Sequence, residues 1–546
     1  MPNSSSGGRT GNRITFSLPL GERPVSQGAV ALVLHAHLPY VRSAQPGSLE
    51  EDWFFQALIE CYLPLLECLE DAAADPDRAP KITIGLSPTL LSLLADADLK
   101  HRFPAWIQSR LDLLPKAHPR LEEAAEHLAI TMHRHLQAWK ACDADLIGRF
   151  AALQRRDVVD LLTCGATHGY LPLLRQHPEA VRGQLRTAVR EHQRLIGERP
   201  LGIWLPECAY YEGLDHWMRD AGLRYAVLDG HGLLHARPRP RYGVYAPICS
   251  RNSVAFFGRD SEATLPVWSA RDGYPGHQSY REFHRDLGWD LPVEQLLPLG
   301  LNQPRPLGLK LHAVTSHNAP LEAKRPYIPK VAAEQVRLHA AHFLRGRRLQ
   351  LEQLKQAMDS DPLLVAPFDA ELFGHWWFEG PAFLTELFRQ APDQGITFTR
   401  LRDVLTQAGQ LQLCDPCPSS WGQGGFHNYW LNDTNAWIVP EWEKAGAAMV
   451  DRCSRGVGRE RDLELLRQAA RELLLAQSSD WSFILRAGTT TELARDRVKR
   501  HLGRFWLLIQ AIDTGDELPD QWMDEVQQDD RLFPLIQPLD WAQVGS

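Results

Sequence analysis

Short apolar runs that each end in a cluster of polar or aromatic residues recur through the first two-thirds of this 546-residue sequence. Longer segments with helical periodicity separate these runs. Strands of a parallel β/α barrel are buried on both faces and deliver functional side chains at their carboxyl ends, so they show this pattern. The sequence therefore predicts an α/β barrel. The predicted strands are Val30–Leu34, Lys81–Leu86, Val158–Cys164, Leu201–Leu205, Tyr225–Leu228, Val254–Phe257, Leu265–Trp268, Leu363–Phe368 and Ile396–Thr399.

The rest of the chain predicts helices around and after this barrel. A polar helical stretch over about residues 98–157 is too long for a simple crossover and is interpreted as an insertion. A Pro- and Gly-rich segment after about residue 410 marks a boundary, and helical spacing of apolar residues follows it. We expect a disordered Ser- and Gly-rich tail at 1–28, a catalytic barrel at 29–410 and a helical domain at 411–546.

Composition limits the classes of partner. Hydrophobic residues make up 44% and charged residues 23%, with a net charge of −8, so neither nucleic acid nor an anionic membrane is expected as a partner. No apolar run reaches the roughly 20 residues that span a bilayer. The nine cysteines are scattered, and Cys414 and Cys417 form one isolated CxxC without the second pair that a structural zinc site needs. This cysteine usage predicts a reduced, cytoplasmic protein, and the net charge fits a neutral substrate.

Glu207 follows the predicted strand LGIWL, within WLPECAYY. A carboxylate at a strand end with Trp204 and Tyr210 nearby suits a sugar site, because aromatic rings stack on the apolar faces of sugars. The alternative is a carboxylate that caps the next helix or pairs with an arginine.

Asp369 follows the strand LLVAPF and precedes AELFGHWW. Apolar surroundings raise the pKa of a carboxylic acid, as a general acid requires near neutrality. Glu371 competes for that role, and a buried ion pair is the alternative to both. Two carboxylates on different strands are the minimum for glycoside chemistry, and in a retaining enzyme they lie roughly 5–5.5 Å apart.

Three histidines also lie at strand ends. His35 and His37 form HAH after the first strand, and His168 lies in GATHGY after the third. Alternate residues of a strand point to the same side, so a metal site is an alternative. Neither loop contains a carboxylate, which favours hydrogen bonds to sugar hydroxyls.

Further clusters combine aromatic with polar residues, and the chain holds 17 tryptophans. Trp421 lies in a Gly-rich hydrophilic stretch that makes a poor core, so it is interpreted as a substrate platform. The other clusters supply Arg259, Trp268, Gly276, Trp430 and Asp480.

Four of these motifs, in order, resemble glycoside hydrolase family 57. They are HAHLPY, GATHGYLP, WLPECAY and PFDAELFGHWW, and the resemblance extends from about residue 29 to the end of the chain. It implies a distorted (β/α)7 barrel followed by an all-helical domain that contributes to the active site. It also implies retaining action on α-glucans without a metal or other cofactor, with Glu207 as nucleophile and Asp369 as acid/base.

The C-terminal region resembles the 1,4-α-glucan branching members of that family. This resemblance carries substrate contacts over to Arg259, Gly276, Trp421, Trp430 and Asp480. Branching members also place a tyrosine over the site on a mobile loop. The corresponding stretch here is compact and Pro-rich, and neither Tyr242 nor Tyr245 aligns clearly with that tyrosine.

We therefore expect a glucan branching enzyme that uses an α-1,4-glucan such as amylose or glycogen as donor and acceptor. The nearest alternative is an α-amylase or 4-α-glucanotransferase of the same family. A metal-dependent carbohydrate deacetylase using His35, His37 and His168, and a glycan-binding protein without activity, are the more distant alternatives.

Overall fold

The computed structural model describes residues 28–43, 46–75, 79–269, 271–456 and 458–543. The tail predicted at 1–28 lies outside these residues except for Gly28. In the described part of the chain, no helix combines the length and apolar character needed to cross a membrane.

The strands form two hydrogen-bonded groups. One has the order β3-β2-β1-β8 and is entirely parallel, and the other has the order β4-β5-β7-β6-β9, in which β4, β5 and β7 are parallel. Their bounds are β1 Ala29–Ala36, β2 Ile82–Leu86, β3 Val159–Leu162, β4 Gly202–Ile203, β5 Tyr225–Leu228, β6 Ile248–Cys249, β7 Ala255–Gly258, β8 Leu363–Asp369 and β9 Gln412–Leu413.

The parallel strands of the two groups join into one sheet, and β6 lies antiparallel to β7. A parallel bridge between Thr163 and Ile203 connects β3 to β4. At the other end, the backbone N–H of Asp260, just after β7, donates to the carbonyl oxygen of Val365 on β8 over 2.9 Å. Among the described residues, seven parallel strands thus follow one another around a distorted barrel. The predicted α/β class is confirmed.

Helices cover the outside of this sheet. The predicted insertion at 98–157 corresponds to α4, α5 and α6. A single π-helical turn, Leu58–Tyr62, separates α1 from α2. The bounds are α1 Leu49–Ala57, α2 Leu63–Ala72, α3 Pro88–Ala95, α4 Ala97–Leu111, α5 Glu122–Ala141, α6 Leu146–Arg155, α7 Leu171–Leu174, α8 Pro178–Ile196, α9 Leu214–Asp220, α10 Gly230–Leu234, α11 Ser261–Trp268, α12 Val293–Leu296, α13 Pro329–Ala357, α14 Gly380–Gln390 and α15 Leu401–Gln407.

Two strand predictions need correction. Leu265–Trp268 is the second half of helix α11, which begins after Asp260, whose side chain accepts from the backbone N–H of Glu262. A four-residue apolar run fits a buried strand or a buried helix equally well, and the N-terminal cap decides between them. Ile396–Thr399 forms only one parallel bridge, between Phe398 and Val30.

The C-terminal region is helical, as predicted, and it packs on the barrel. Its helices are α16 Ile438–Ser454, α17 Glu460–Ala476, α18 Ser479–Ala487, α19 Thr491–Thr514 and α20 Asp520–Asp529. Trp541 is buried against Gly183 of α8, where an added Cβ would clash with the indole ring. The start of α18 is held at the loop after β3, because the backbone N–H of Ser479 donates to the carbonyl oxygen of His168 over 3.1 Å. The boundary at residues 410 and 411 stays a prediction.

Candidate active site

Glu207 lies in a short turn directly after β4, at the carboxyl end of the sheet. Its backbone has φ of 61°, in the left-handed region that non-glycine residues rarely adopt. Such backbone strain is concentrated at functional sites, where surrounding contacts hold it in place. The side chain keeps 14% of its surface exposed.

Both carboxylate oxygens of Glu207 have neighbours from the C-terminal part of the chain. Trp421 donates its indole N–H to Oε2 over 2.8 Å. Ser479 Oγ lies 3.5 Å from Oε1, and His168 Nδ1 lies 3.9 Å from the same oxygen. The alternative of a helix-capping or arginine-paired glutamate therefore does not describe this side chain.

Asp369 is the last residue of β8, and His35 lies opposite it on β1. Glu371, its competitor for the acid role, is held away from that task by two donors. The Tyr62 hydroxyl donates to Glu371 Oε1 over 2.6 Å, and the backbone N–H of His37 donates to the same oxygen over 3.0 Å. This arrangement favours Asp369 as the acid.

The three carboxyl groups have raised pKa values, each mainly because burial disfavours the charged form. Burial, opposed by the hydrogen bond from Trp421 and reinforced by the charge of Asp369, raises the pKa of Glu207 to about 8. Burial and the charge of Glu371 raise the pKa of Asp369 well above its ordinary range. Burial, opposed by the bond from Tyr62, raises that of Glu371 to about 7. Burial therefore favours the protonated form of Asp369, as a general acid requires.

Three histidine rings stack beside these carboxyl groups. His37 and His168 are nearly parallel with centroids 3.9 Å apart, and His35 stacks on Trp204 at 4.8 Å. Several of their ring nitrogens meet protein partners: His35 Nε2 and His168 Nε2 are 3.1 Å apart, and His168 Nδ1 is 2.8 Å from Ser479 Oγ. His35 Nδ1 is buried without a hydrogen-bond partner among the described residues.

These contacts fit a metal ion poorly. Donor atoms of the three histidines lie within 4.8 Å of one another, as a metal site would require. However, the lone pairs of an imidazole lie in its ring plane, so stacked parallel rings do not point at one ion. The absence of a metal stays a prediction.

Asp480 reaches the barrel from the first turn of α18. His37 Nε2 donates to its Oδ2 over 3.0 Å, and the other nitrogen of that ring lies 2.9 Å from Ser87 Oγ. Burial alone would raise the pKa of Asp480, but the charge and hydrogen bond of His37 lower it to about 2. A permanently ionised aspartate therefore connects the helical region to the barrel strands.

Two further tryptophan rings and one arginine surround Trp421, which bonds to Glu207. Trp421 meets Trp204 and Trp268 edge to face, with centroids 5.0 Å and 5.6 Å away. The guanidinium of Arg259, just after β7, lies 5.9 Å from the centre of the Trp421 ring and pairs with Asp229. Arg259, Trp268 and Trp421 are thus brought together with Glu207.

Among the described residues, neither Trp430 nor Gly276 is hydrogen-bonded to Glu207 or Asp369. Trp430 is 2% exposed and stacks on Tyr170 at 4.5 Å, and Trp421 packs against the same cluster. Gly276 ends the turn Tyr274–Gly276, where the Tyr274 hydroxyl bonds to His342 on α13. Their roles in substrate binding stay predictions.

The sequence prediction missed several residues. Ser479 precedes Asp480 in the cluster SSDW, so the reasoning that identified Asp480 could also have identified Ser479. Ser87 and Asp229 directly follow the predicted strands that end at Leu86 and Leu228, so their position at strand ends was a signal, although no role was assigned to them. Tyr62 carries no such signal, because it lies in a helical segment far from the motifs.

Paired buried carboxyl groups among aromatic side chains, at the carboxyl end of a parallel barrel, are typical of enzymes that act on glycosidic bonds. Comparison with protein families agrees. Residues 31–414 match the glycosyl hydrolase family 57 model, and residues 441–541 match the C-terminal model of 1,4-alpha-glucan branching enzymes. The chain belongs to glycosyl hydrolase family 57.

Individual relatives are similar over most of the chain. A 1,4-alpha-glucan branching enzyme from Thermococcus kodakarensis is 31% identical over 93% of this chain and 78% of its own length. A GH57-type branching enzyme structure from Pyrococcus horikoshii has a TM-score of 0.85 at 30% identity, covering 95% of this chain and 97% of that one. A structure described as a novel alpha-amylase from Thermotoga maritima has a TM-score of 0.88 at 33% identity, covering 95% and 100%.

Proposed function

We propose that this protein is a 1,4-α-glucan branching enzyme, which cleaves an α-1,4 link and transfers the released chain to a 6-hydroxyl to form an α-1,6 branch. The observation that carries the chemistry is that Glu207, just after β4, and Asp369, at the end of β8, are buried close enough for the charge of Asp369 to raise the pKa of Glu207. The match of residues 441–541 to the branching-enzyme C-terminal model supports the branching reaction.

The reaction proceeds in two displacements. Ionised Glu207 attacks the anomeric carbon, the C–O bond to the leaving chain breaks, and Asp369 gives its proton to the leaving oxygen. A covalent glycosyl-enzyme results. Asp369, now ionised, takes the proton of the acceptor hydroxyl as that oxygen attacks the anomeric carbon and releases Glu207. The anomeric configuration is retained.

The acceptor decides the product. A 6-hydroxyl gives a branch, a 4-hydroxyl gives chain disproportionation, and water gives hydrolysis. The aromatic walls around Trp421 orient the acceptor and limit the access of water.

Hydrolysis is the second candidate reaction. The stretch around Tyr242 and Tyr245, which corresponds to the mobile tyrosine loop of branching members, is held by contacts of its own. Arg241 pairs with Asp359 and lies 5.1 Å over the Tyr242 ring, and Leu363 donates its N–H to the carbonyl oxygen of Tyr245. Similarity to the structure described as an alpha-amylase agrees with this outcome.

The donor and acceptor are α-1,4-glucan chains such as amylose or glycogen, and the protein acts in the cytoplasm. All nine cysteines are unpaired, which supports a reducing compartment.

The decisive experiment incubates the purified protein with linear amylose and follows iodine absorbance and reducing ends. The product is then treated with an α-1,6-specific debranching enzyme. Branching predicts falling iodine colour, few new reducing ends, and many released on debranching. Rising reducing ends with none released on debranching would establish an amylase instead.

A further inference from the structure

Two aromatic rings of the C-terminal region lie together near the protein surface. Tyr429 and Phe483 have centroids 4.8 Å apart and planes inclined by 33°. Phe483, on α18, is 45% exposed although it is a large apolar side chain. Both lie in aromatic clusters of the sequence, SSWGQGGFHNYW and SSDWSF, but neither was assigned a role there.

A buried amide links the backbone segments that carry the two rings. Asn435, which is fully buried, donates from Nδ2 to the carbonyl oxygens of Tyr429 and Ser482, each over 3.1 Å. Asn432 Nδ2 donates to the same Tyr429 oxygen over 3.0 Å. These bonds join the loop to α18 one residue before Phe483. The pair is therefore held in place before any ligand binds, which lowers the entropic cost of binding.

The ring pair continues outward from the active site. Phe483 follows Asp480 by three residues, so the two side chains are neighbours along α18, and Asp480 contacts His37 in the barrel. Tyr429 precedes Trp430, which stacks on Tyr170. A chain that leaves the cleft past Asp480 therefore meets Phe483 one helical turn further on.

We infer that Tyr429 and Phe483 form a remote subsite on which a glucosyl unit of a long α-1,4-glucan stacks, outside the bond that is cut. This inference rests on the proposed function, since the occupant is the substrate chain itself. A sugar ring offers an apolar C–H face to an aromatic ring and polar hydroxyls at its edge. The Tyr429 hydroxyl and the exposed Asn428 supply hydrogen-bonding groups beside the rings. The subsite distinguishes long chains from short ones.

The test compares Phe483→Ala with Phe483→Tyr, which retains a ring, and with Trp506→Ala as a matched control. Trp506 is also an exposed aromatic residue of the helical region, at 38%, but it lies on α19. KM and kcat are measured on amylose and on a short malto-oligosaccharide, and migration is measured in native gels containing amylopectin.

Phe483→Ala should raise KM for amylose by about three- to tenfold, the value of one aromatic stacking contact, with little change in kcat. It should leave the short substrate unaffected and reduce the retardation by amylopectin. Phe483→Tyr and Trp506→Ala should behave like the wild type.

An equal loss on long and short substrates, or no change in KM and retardation, would overturn the inference. Gel retardation measures binding and needs no catalysis. The remote subsite and the branching activity can therefore be disproved independently. If the wild type forms no α-1,6 links but Phe483→Ala still weakens retardation, the subsite stands and branching does not.

Discussion

Trp421 holds both the side chain and the backbone of Glu207. Its indole N–H donates to Oε2 over 2.8 Å, and its backbone N–H donates to the carbonyl oxygen of the same residue over 3.0 Å. Glu207 has a left-handed backbone, which costs of order 1–3 kcal/mol and persists only with external support. One residue beyond the barrel thus positions the proposed nucleophile.

Replacing Trp421 with Phe should test this relationship. The hydrogen bond stabilises the ionised carboxylate, so its loss raises the pKa of Glu207 above about 8. The ascending limb of kcat/KM should move to higher pH, and activity at neutral pH should fall by about tenfold or more. Trp506→Phe is the control. An unmoved ascending limb in a folded variant would contradict the assignment.

Glu207→Gln and Asp369→Asn should each remove nearly all activity on amylose while the thermal unfolding transition is retained. For Asp369→Asn, the loss should be about a hundred- to ten-thousandfold, the usual contribution of general acid–base catalysis.

A maltosyl fluoride donor separates the two roles, because fluoride leaves without a proton. Asp369→Asn should still form a covalent glycosyl-enzyme that mass spectrometry detects, and Glu207→Gln should not. A covalent adduct on Glu207→Gln would show that another residue is the nucleophile.

Glu371→Gln should change the descending limb of the pH profile. The charge of Glu371 helps to raise the pKa of Asp369, so its removal lowers that pKa and the acid loses its proton at lower pH. The descending limb of kcat/KM should therefore shift to lower pH. The glutamine oxygen still accepts from Tyr62 and from the His37 backbone, so the loop is retained. If the limb does not move, another charge such as Asp480 keeps Asp369 protonated.

A buried cluster in the helical region should make stability depend on pH. Burial and the charge of Glu472 raise the pKa of Asp530 to about 8, so the folded state holds a proton that the unfolded state releases. This stabilisation is lost as pH rises through 8. Burial lowers the pKa of His501 to about 3, which stabilises the fold above its unfolded value of about 6.5. Between about pH 6.5 and 8, the contribution of Asp530 therefore dominates this pair.

Asp530→Asn mimics the protonated form and tests this point. Relative to wild type, its free energy of unfolding should increase by about 2 kcal/mol across that interval, as measured by thermal or urea unfolding at each pH. Groups such as Glu207 titrate in both the variant and the wild type, so their contributions to the free energy of unfolding cancel in the difference. If the free energies of unfolding of Asp530→Asn and wild type changed with pH in the same way, Asp530 would not be protonated in the folded state.

The sequence by itself determined the barrel strands and the two carboxyl groups at their ends. Runs such as LLVAPF before Asp369 are recognisable because a strand buried on both faces must be apolar along its length. The sequence did not determine whether Leu265–Trp268 is a strand or a helix, because four apolar residues fit a buried strand and a buried helix equally well.

Only the tertiary structure decided which distant side chains complete the site. Ser479 and Tyr62 are 272 and 309 residues away in sequence from the carboxylates they meet, Glu207 and Glu371. The ring pair of Tyr429 and Phe483 depends likewise on the buried amide of Asn435. Local patterns report whether a residue is buried and in which element it lies. Which elements pack together, and therefore which oxygen meets which donor, depends on long-range packing that no local pattern encodes.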